Sequence, residues 1–111
     1  PYTTRDGSQI RELMHPASHA ARAQSLAEAT VAPGTSTRLH LHHETEEIYH
    51  VTAGRGVMRL GERSFEVRRG DTVLIAPGTP HSIRNDGRRP LKILCACSPA
   101  YAHEDTQLLD L

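Results

Sequence analysis

His40-Leu41-His42-His43-Glu44-Thr45-Glu46-Glu47 sets three imidazoles and three carboxylates in eight consecutive residues. His40 and His42 are two positions apart, so on a strand both side chains leave the same face, their Cα atoms roughly 6–7 Å apart, and converge on one ion. A turn through His43-Glu44-Thr45 brings Glu46 or Glu47 back beside them and adds an oxygen donor to two imidazole nitrogens. The same residues also suit a solvated polar loop, because His and Glu mostly sit at surfaces.

A second stretch, Gly70-Asp71-Thr72-Val73-Leu74-Ile75-Ala76-Pro77-Gly78-Thr79-Pro80-His81, reads as a turn, an apolar strand, a tight Pro/Gly turn and a lone histidine. Together the two stretches resemble the cupin superfamily. The first cupin motif, G(X)5HXH(X)3-4E(X)6G, is met by Gly34, His40, His42, Glu47 and Gly54; the second, G(X)5PXG(X)2H(X)3N, falls on Gly70, Gly78, His81 and Asn85. The proline position of the second motif holds Ala76, with Pro77 one residue later, a departure that bears on the local turn. The resemblance implies an all-β fold, a double-stranded β-helix or jelly-roll β-barrel, with one metal ion held by His40, His42, Glu47 and His81. Glu47 rather than Glu46 is the implied carboxylate, because Gly54 then follows at the motif's spacing.

The 111 residues are expected to form a single barrel domain, with residues 1–24 as an N-terminal arm or strand and 98–111 as a C-terminal tail. Thirteen basic residues balance thirteen acidic ones, so no global field draws in nucleic acid or an anionic membrane. The expected partners are a small-molecule ligand and a second copy of the chain. Eight histidines enrich the commonest metal ligand. With Tyr2, Tyr49, Tyr101 and Phe65 as the aromatic residues and no Trp, the core rests on Leu, Ile, Val and Ala. Cys95 and Cys97 share a strand face at a separation near the upper limit for a disulfide. They read as buried small hydrophobes, or as a soft-metal CxC pair. Free thiols and a start without a signal-peptide apolar core point to a cytoplasmic protein.

Strand-length runs recur between Gly/Pro turns, the pattern of an all-β sandwich or barrel. Gln24 to Val31 alternates, with Leu26, Glu28 and Thr30 opposite Ser25, Ala27, Ala29 and Val31. From Thr37 to His42, period two puts Arg38, His40 and His42 on one face, so Arg38 is a candidate cation for a carboxylate or phosphate beside the metal, or a solvated residue at the barrel mouth. Glu47, Tyr49 and Val51 share the inner face, which makes Tyr49 a second candidate for substrate binding, with His50 on the other side. Gly54-Arg55-Gly56 reads as a hairpin turn, and Gly61-Glu62-Arg63 joins two further strands. Leu91, Ile93, Cys95 and Cys97 alternate against Lys92, Leu94 and Ala96. His15 and His19 read as surface residues, and the terminal Leu108, Leu109 and Leu111 as closing the barrel or crossing a dimer interface. Outer-face Ile48, Leu39 and Leu41 point to a homodimer by sheet packing and arm exchange.

Three imidazoles and a carboxylate on an octahedral ion leave two adjacent positions for a ligand. Fe, Mn, Ni, Co and Zn all suit mixed nitrogen and oxygen ligation. The expected function is metal Lewis-acid or oxygen-dependent chemistry on a small acidic or enolisable molecule, of dioxygenase or isomerase/cyclase type. Non-catalytic metal-dependent binding, as a sensor or carrier, and a closed structural metal site are the alternatives.

Overall fold

Alternating side chains need two partners, a neighbouring strand for the backbone and an apolar layer for one face, and both are supplied here by two facing sheets. The computed structural model describes residues 2–3 and 7–109. Among these, eleven strands run in chain order: β1 (Tyr2–Thr3), β2 (Gln9–Met14), β3 (Ser25–Val31), β4 (His40–His42), β5 (Glu46–Ala53), β6 (Arg55–Leu60), β7 (Arg63–Arg68), β8 (Thr72–Ile75), β9 (His81–Arg84), β10 (Leu91–Ser98) and β11 (Thr106–Leu108). They form two antiparallel sheets, ordered β1-β2-β3-β10-β5-β8 and β11-β4-β9-β6-β7. This is the expected double-stranded β-helix. Among the described residues, no helix is long and apolar enough to cross a membrane.

The core forms where the inner faces meet. Ala29, Val31, Tyr49, Val51 and Ile93 of the larger sheet pack with Met58, Val67 and Ile83 of the smaller one. The alternation read in β3, β5 and β10 holds: Ala29 and Val31 are buried, as are Glu47, Tyr49 and Val51, and Leu91, Ile93, Cys95 and Cys97; β9 likewise buries His81 and Ile83. Buried Asn85, the last residue of the second motif, closes the barrel wall below the site. Its Nδ2 donates to the carbonyls of Val31 and Arg89, and its Oδ1 accepts from the Gly87 amide.

Three expectations are corrected. Gly54-Arg55-Gly56 is no hairpin: it is a corner that carries the chain from β5 in one sheet to β6 in the other, because β5 is already paired on both edges, with β10 and β8. The glycines are needed there for close approach. A Cβ on Gly54, whose φ is +81°, would lie 2.7 Å from the Pro90 carbonyl oxygen, and one on Gly56 2.5 Å from that of Arg84. Second, the strand expected from Thr37 shortens to His40–His42. The Thr37 amide donates to Ile83 O at 2.9 Å, and its hydroxyl accepts from Ile83 N at 2.9 Å. Thr37 is therefore buried and Arg38 exposed, so the parity that would have turned Arg38 inward beside His40 is lost. Third, Leu39 and Leu41 belong with the smaller sheet and are half-buried, whereas Ile48 lies on the outer face of the larger one.

The N-terminal arm pairs within its own chain, β2 against β3. The tail folds back as β11 against β4, with Leu108 and Leu109 half-buried; Leu111 lies outside the described residues. His15, expected at the surface, is half-buried, with Nε2 2.8 Å from the Tyr101 carbonyl.

Candidate metal centre

β4 supplies His40 and His42, and its neighbour β9 supplies His81, paired in register with His40. Across the barrel, β5 supplies Glu47. All four are buried, at 2 %, 4 %, 0 % and 4 % exposure for His40, His42, His81 and Glu47. The imidazole centroids lie 5.2 Å (His40–His42), 4.2 Å (His40–His81) and 5.4 Å (His42–His81) apart. One ring nitrogen from each of the three comes within 4.8 Å of the others. Glu47 adjoins this triad through Oε1, 3.3 Å from His42 Nε2 and 3.6 Å from His81 Nε2.

Each imidazole is anchored from behind by an oxygen. His40 Nδ1 is 2.7 Å from Arg38 O, and His81 Nδ1 is 2.9 Å from Thr79 O. Carbonyls only accept, so both Nδ1 atoms carry the proton. His42 Nδ1 is 3.0 Å from Thr106 Oγ1, whose own proton goes to Ala102 O at 3.1 Å; the hydroxyl therefore accepts from His42 as well. In their neutral form all three rings keep the Nε2 lone pair for the interior, the tautomer a metal ligand requires. Among the described residues, Glu47 Oε1 and His81 Nε2 are buried with no hydrogen-bond partner, an arrangement that costs free energy unless a cation or added proton lies between them. One divalent ion facing three nitrogens and Oε1 satisfies every member of the set, so the residues fit a metal.

Burial pushes the Glu47 carboxyl up, but contact with His42 and His81 holds it down at about 2. It is an acceptor only. Its other oxygen, Oε2, accepts a hydrogen bond from the Cys97 thiol at 3.3 Å. Burial, and then the neighbouring Glu47 charge, raise the Cys97 thiol far above its ordinary range, which keeps it protonated. Cys95 and Cys97 are both buried and are not joined in a disulfide, as expected.

The tail, featureless in sequence, organises the segment between the ligands. Asp105 accepts from the Glu44 amide at 3.0 Å and the Thr45 amide at 3.1 Å, and the Thr45 hydroxyl donates to Pro99 O at 3.1 Å. His43, Glu44 and Glu46 are exposed. His50 faces away from the cluster, its Nδ1 2.7 Å from Thr72 Oγ1.

A cavity of about 50 Å³ adjoins His40, His42 and Glu47, and its walls are largely apolar, formed by Ile10, Ala27, Ala29, Ile93 and Cys95 with Tyr101. Tyr49 lines it. Arg38 does not, which removes the basis for Arg38 as a substrate contact. Thr106, Asp105, Tyr101 and the Cys97–Glu47 contact were not read from the sequence. Period-two parity alone placed Cys97 on the inner face.

Two sheets closed into a barrel, with three histidines and a glutamate at one end of the interior, define a cupin. Residues 27–97 match the cupin domain family, to which this chain belongs. It is 54 % identical over 110 residues to the uncharacterised protein MJ1618 of Methanocaldococcus jannaschii, covering 99 % of this chain and 88 % of that one. It is 32 % identical over 84 residues to the oxalate-binding protein of Thermotoga maritima, covering 76 % and 65 % respectively. A double-stranded β-helix protein from Klebsiella pneumoniae superposes with a TM-score of 0.81 at 16 % identity, over 99 % of this chain and 90 % of that one, a likeness of fold.

Proposed function

We propose that this protein binds one divalent ion, Fe, Mn, Ni, Co or Zn, through His40, His42, His81 and Glu47, and uses it to hold a small acidic or enolisable molecule. The observation that carries the reading is the set of three Nδ1-anchored imidazoles facing a buried carboxylate oxygen that has no hydrogen-bond partner. A closed structural metal site would need no space beside it, whereas here a cavity abuts the donors. When bound, a divalent ion supplies Lewis acidity toward an oxygen ligand. With the Glu47 charge the centre is singly positive, and the other charged residue lining the cavity is Glu12, with no Lys or Arg among the described lining residues. A monoanionic chelator with a short apolar substituent suits that charge and those walls. The likeness to an oxalate-binding protein supports a small acid.

The test is metal analysis of the purified protein, followed by calorimetric titration of the loaded protein with pyruvate, acetylacetone and oxalate while oxygen uptake is followed. We expect one ion per chain, its loss in the His40→Ala, His81→Ala double variant with the barrel still folded, and tighter binding of the monoanions. Full metal content in that variant would overturn the site. Oxygen uptake or product formation marks an enzyme of dioxygenase or isomerase type, and saturable binding without turnover marks a carrier or sensor. We also propose that the protein works as a homodimer, packed through the outer face of the larger sheet.

A further inference from the structure

Glu47 is the one member of the ligand set that comes from the larger sheet, so its carboxylate has to be aimed across the barrel at imidazoles on the smaller one. A carboxylate on a flexible side chain does not choose between its two oxygens unless something distinguishes them. We infer that Cys97 is a positioning residue for the metal centre, its S–H donating to Glu47 Oε2 and thereby turning Oε1 toward His42 and His81. The inference rests on the reading above that Glu47 is a ligand.

Three observations carry it. In the antiparallel register, Cys97 is the direct cross-strand partner of Glu47 on one side and of Ser25 on the other. Ser25, Cys97 and Glu47 therefore stand in one row on β3, β10 and β5, and all three are buried. The contact is short for sulfur, 3.3 Å from Sγ to Oε2. An ionised acceptor strengthens what is otherwise a weak donor. At the far end of the row the Tyr101 amide donates to Ser25 Oγ at 2.9 Å. Oε2 is thus held by the thiol, while Oε1 has no hydrogen-bond partner and lies 3.3 Å and 3.6 Å from two Nε2 atoms. Cys95, two residues away on the same face, supplies a built-in comparison, with Sγ 4.0 Å from the Ile93 carbonyl.

Two measurements test the assignment, the first without metal. In a Cys95→Ala background the infrared S–H stretch reports Cys97 alone. It is expected below the frequency of an unbonded thiol and to rise when Glu47→Gln replaces the ionised acceptor. A band unmoved by Glu47→Gln would overturn the hydrogen bond. In the second, cobalt(II) is titrated against a competing chelator. Cys97→Ala is expected to bind about tenfold or more weakly, in line with the usual cost of removing a group that orients a ligand, with altered cobalt absorption. Cys97→Ser, which restores a donor, is expected to recover part of that loss. Wild-type affinity in Cys97→Ala, or a Cys97→Ser variant no tighter than Cys97→Ala while both unfold cooperatively, would overturn the positioning role. Wild-type protein that binds no cobalt would instead defeat the metal reading, leaving the infrared measurement to decide the thiol–carboxylate bond.

Discussion

A single hydroxyl sets the chemistry of His42. Thr106 Oγ1 donates to Ala102 O and so has only its lone pairs to offer His42 Nδ1, which keeps the proton on Nδ1 and the lone pair on Nε2. Thr106→Val preserves the shape and β-branching but removes that acceptor. We expect the variant to keep its thermal stability within a few degrees and to bind metal about tenfold more weakly. A chelator competition that gives equal affinities for the two proteins would remove Thr106 from the account. The ligand types were legible at this scale because spacing along a strand is itself a geometric statement: His40-x-His42 has one meaning on a pleated backbone. The groups behind them were not. Thr106 is 64 residues from His42, and Cys97 50 from Glu47, and no local pattern encodes a contact that chain reversal creates.

Among the elements, the tail contributes more than its sequence suggests. β11 pairs with β4, which carries His40 and His42, and just before it Asp105 fastens the loop between His42 and Glu47 through the amides of Glu44 and Thr45. Partial burial raises the Asp105 carboxyl, but the hydrogen bonds from these amides lower it by more, to a net value below the ordinary carboxylate range. A pKa lower in the folded than in the unfolded state stabilises the fold above the ordinary range, and this contribution is lost as pH falls through the lowered folded value. Asp105→Asn keeps a side-chain acceptor without the charge. Urea titrations should show it less stable than wild type above about pH 5, with the gap closing as the pH drops below about 4. A gap of the same size at every pH would mean that the Asp105 charge does not hold the loop. The short β4 and the Gly54–Gly56 corner show the limit of reading elements by alternation, which reports the face that is buried and is silent on the strand that lies alongside. Arg38 was misplaced for that reason, since the Thr37–Ile83 pairing resets the parity three residues before His40.

At the scale of the whole molecule, the larger sheet carries an apolar row across five of its strands. Met14 pairs with Leu26, Leu26 with Ala96, Ala96 with Ile48 and Ile48 with Leu74. Ile48 is 39 % and Leu74 57 % exposed. A continuous apolar line on the outer face of a sheet is the kind of surface association removes from water, and it supports the proposed homodimer. Light scattering at micromolar concentration should give twice the 12.2 kDa chain mass. The Ile48→Glu, Leu74→Glu double variant should return the monomer, with the fold retained because neither side chain reaches the core. A monomeric wild type would refute the pairing.

By itself the sequence determined the inner faces of β3, β5 and β10 through period-two alternation, and, through its resemblance to the cupin motifs, the fold class and the four residues that converge inside the barrel. Alternation and motif spacing are local and survive without knowledge of partners. Only the tertiary structure decided which strands share a sheet, that a presumed hairpin is a corner between sheets, that Arg38 faces out, and that Thr106, Asp105 and Cys97 stand behind the ligands. The physical reason is the same in each case. Backbone pairing and side-chain hydrogen bonds between distant segments are set by how two sheets close on each other, and closure is a property of the barrel rather than of any stretch of chain.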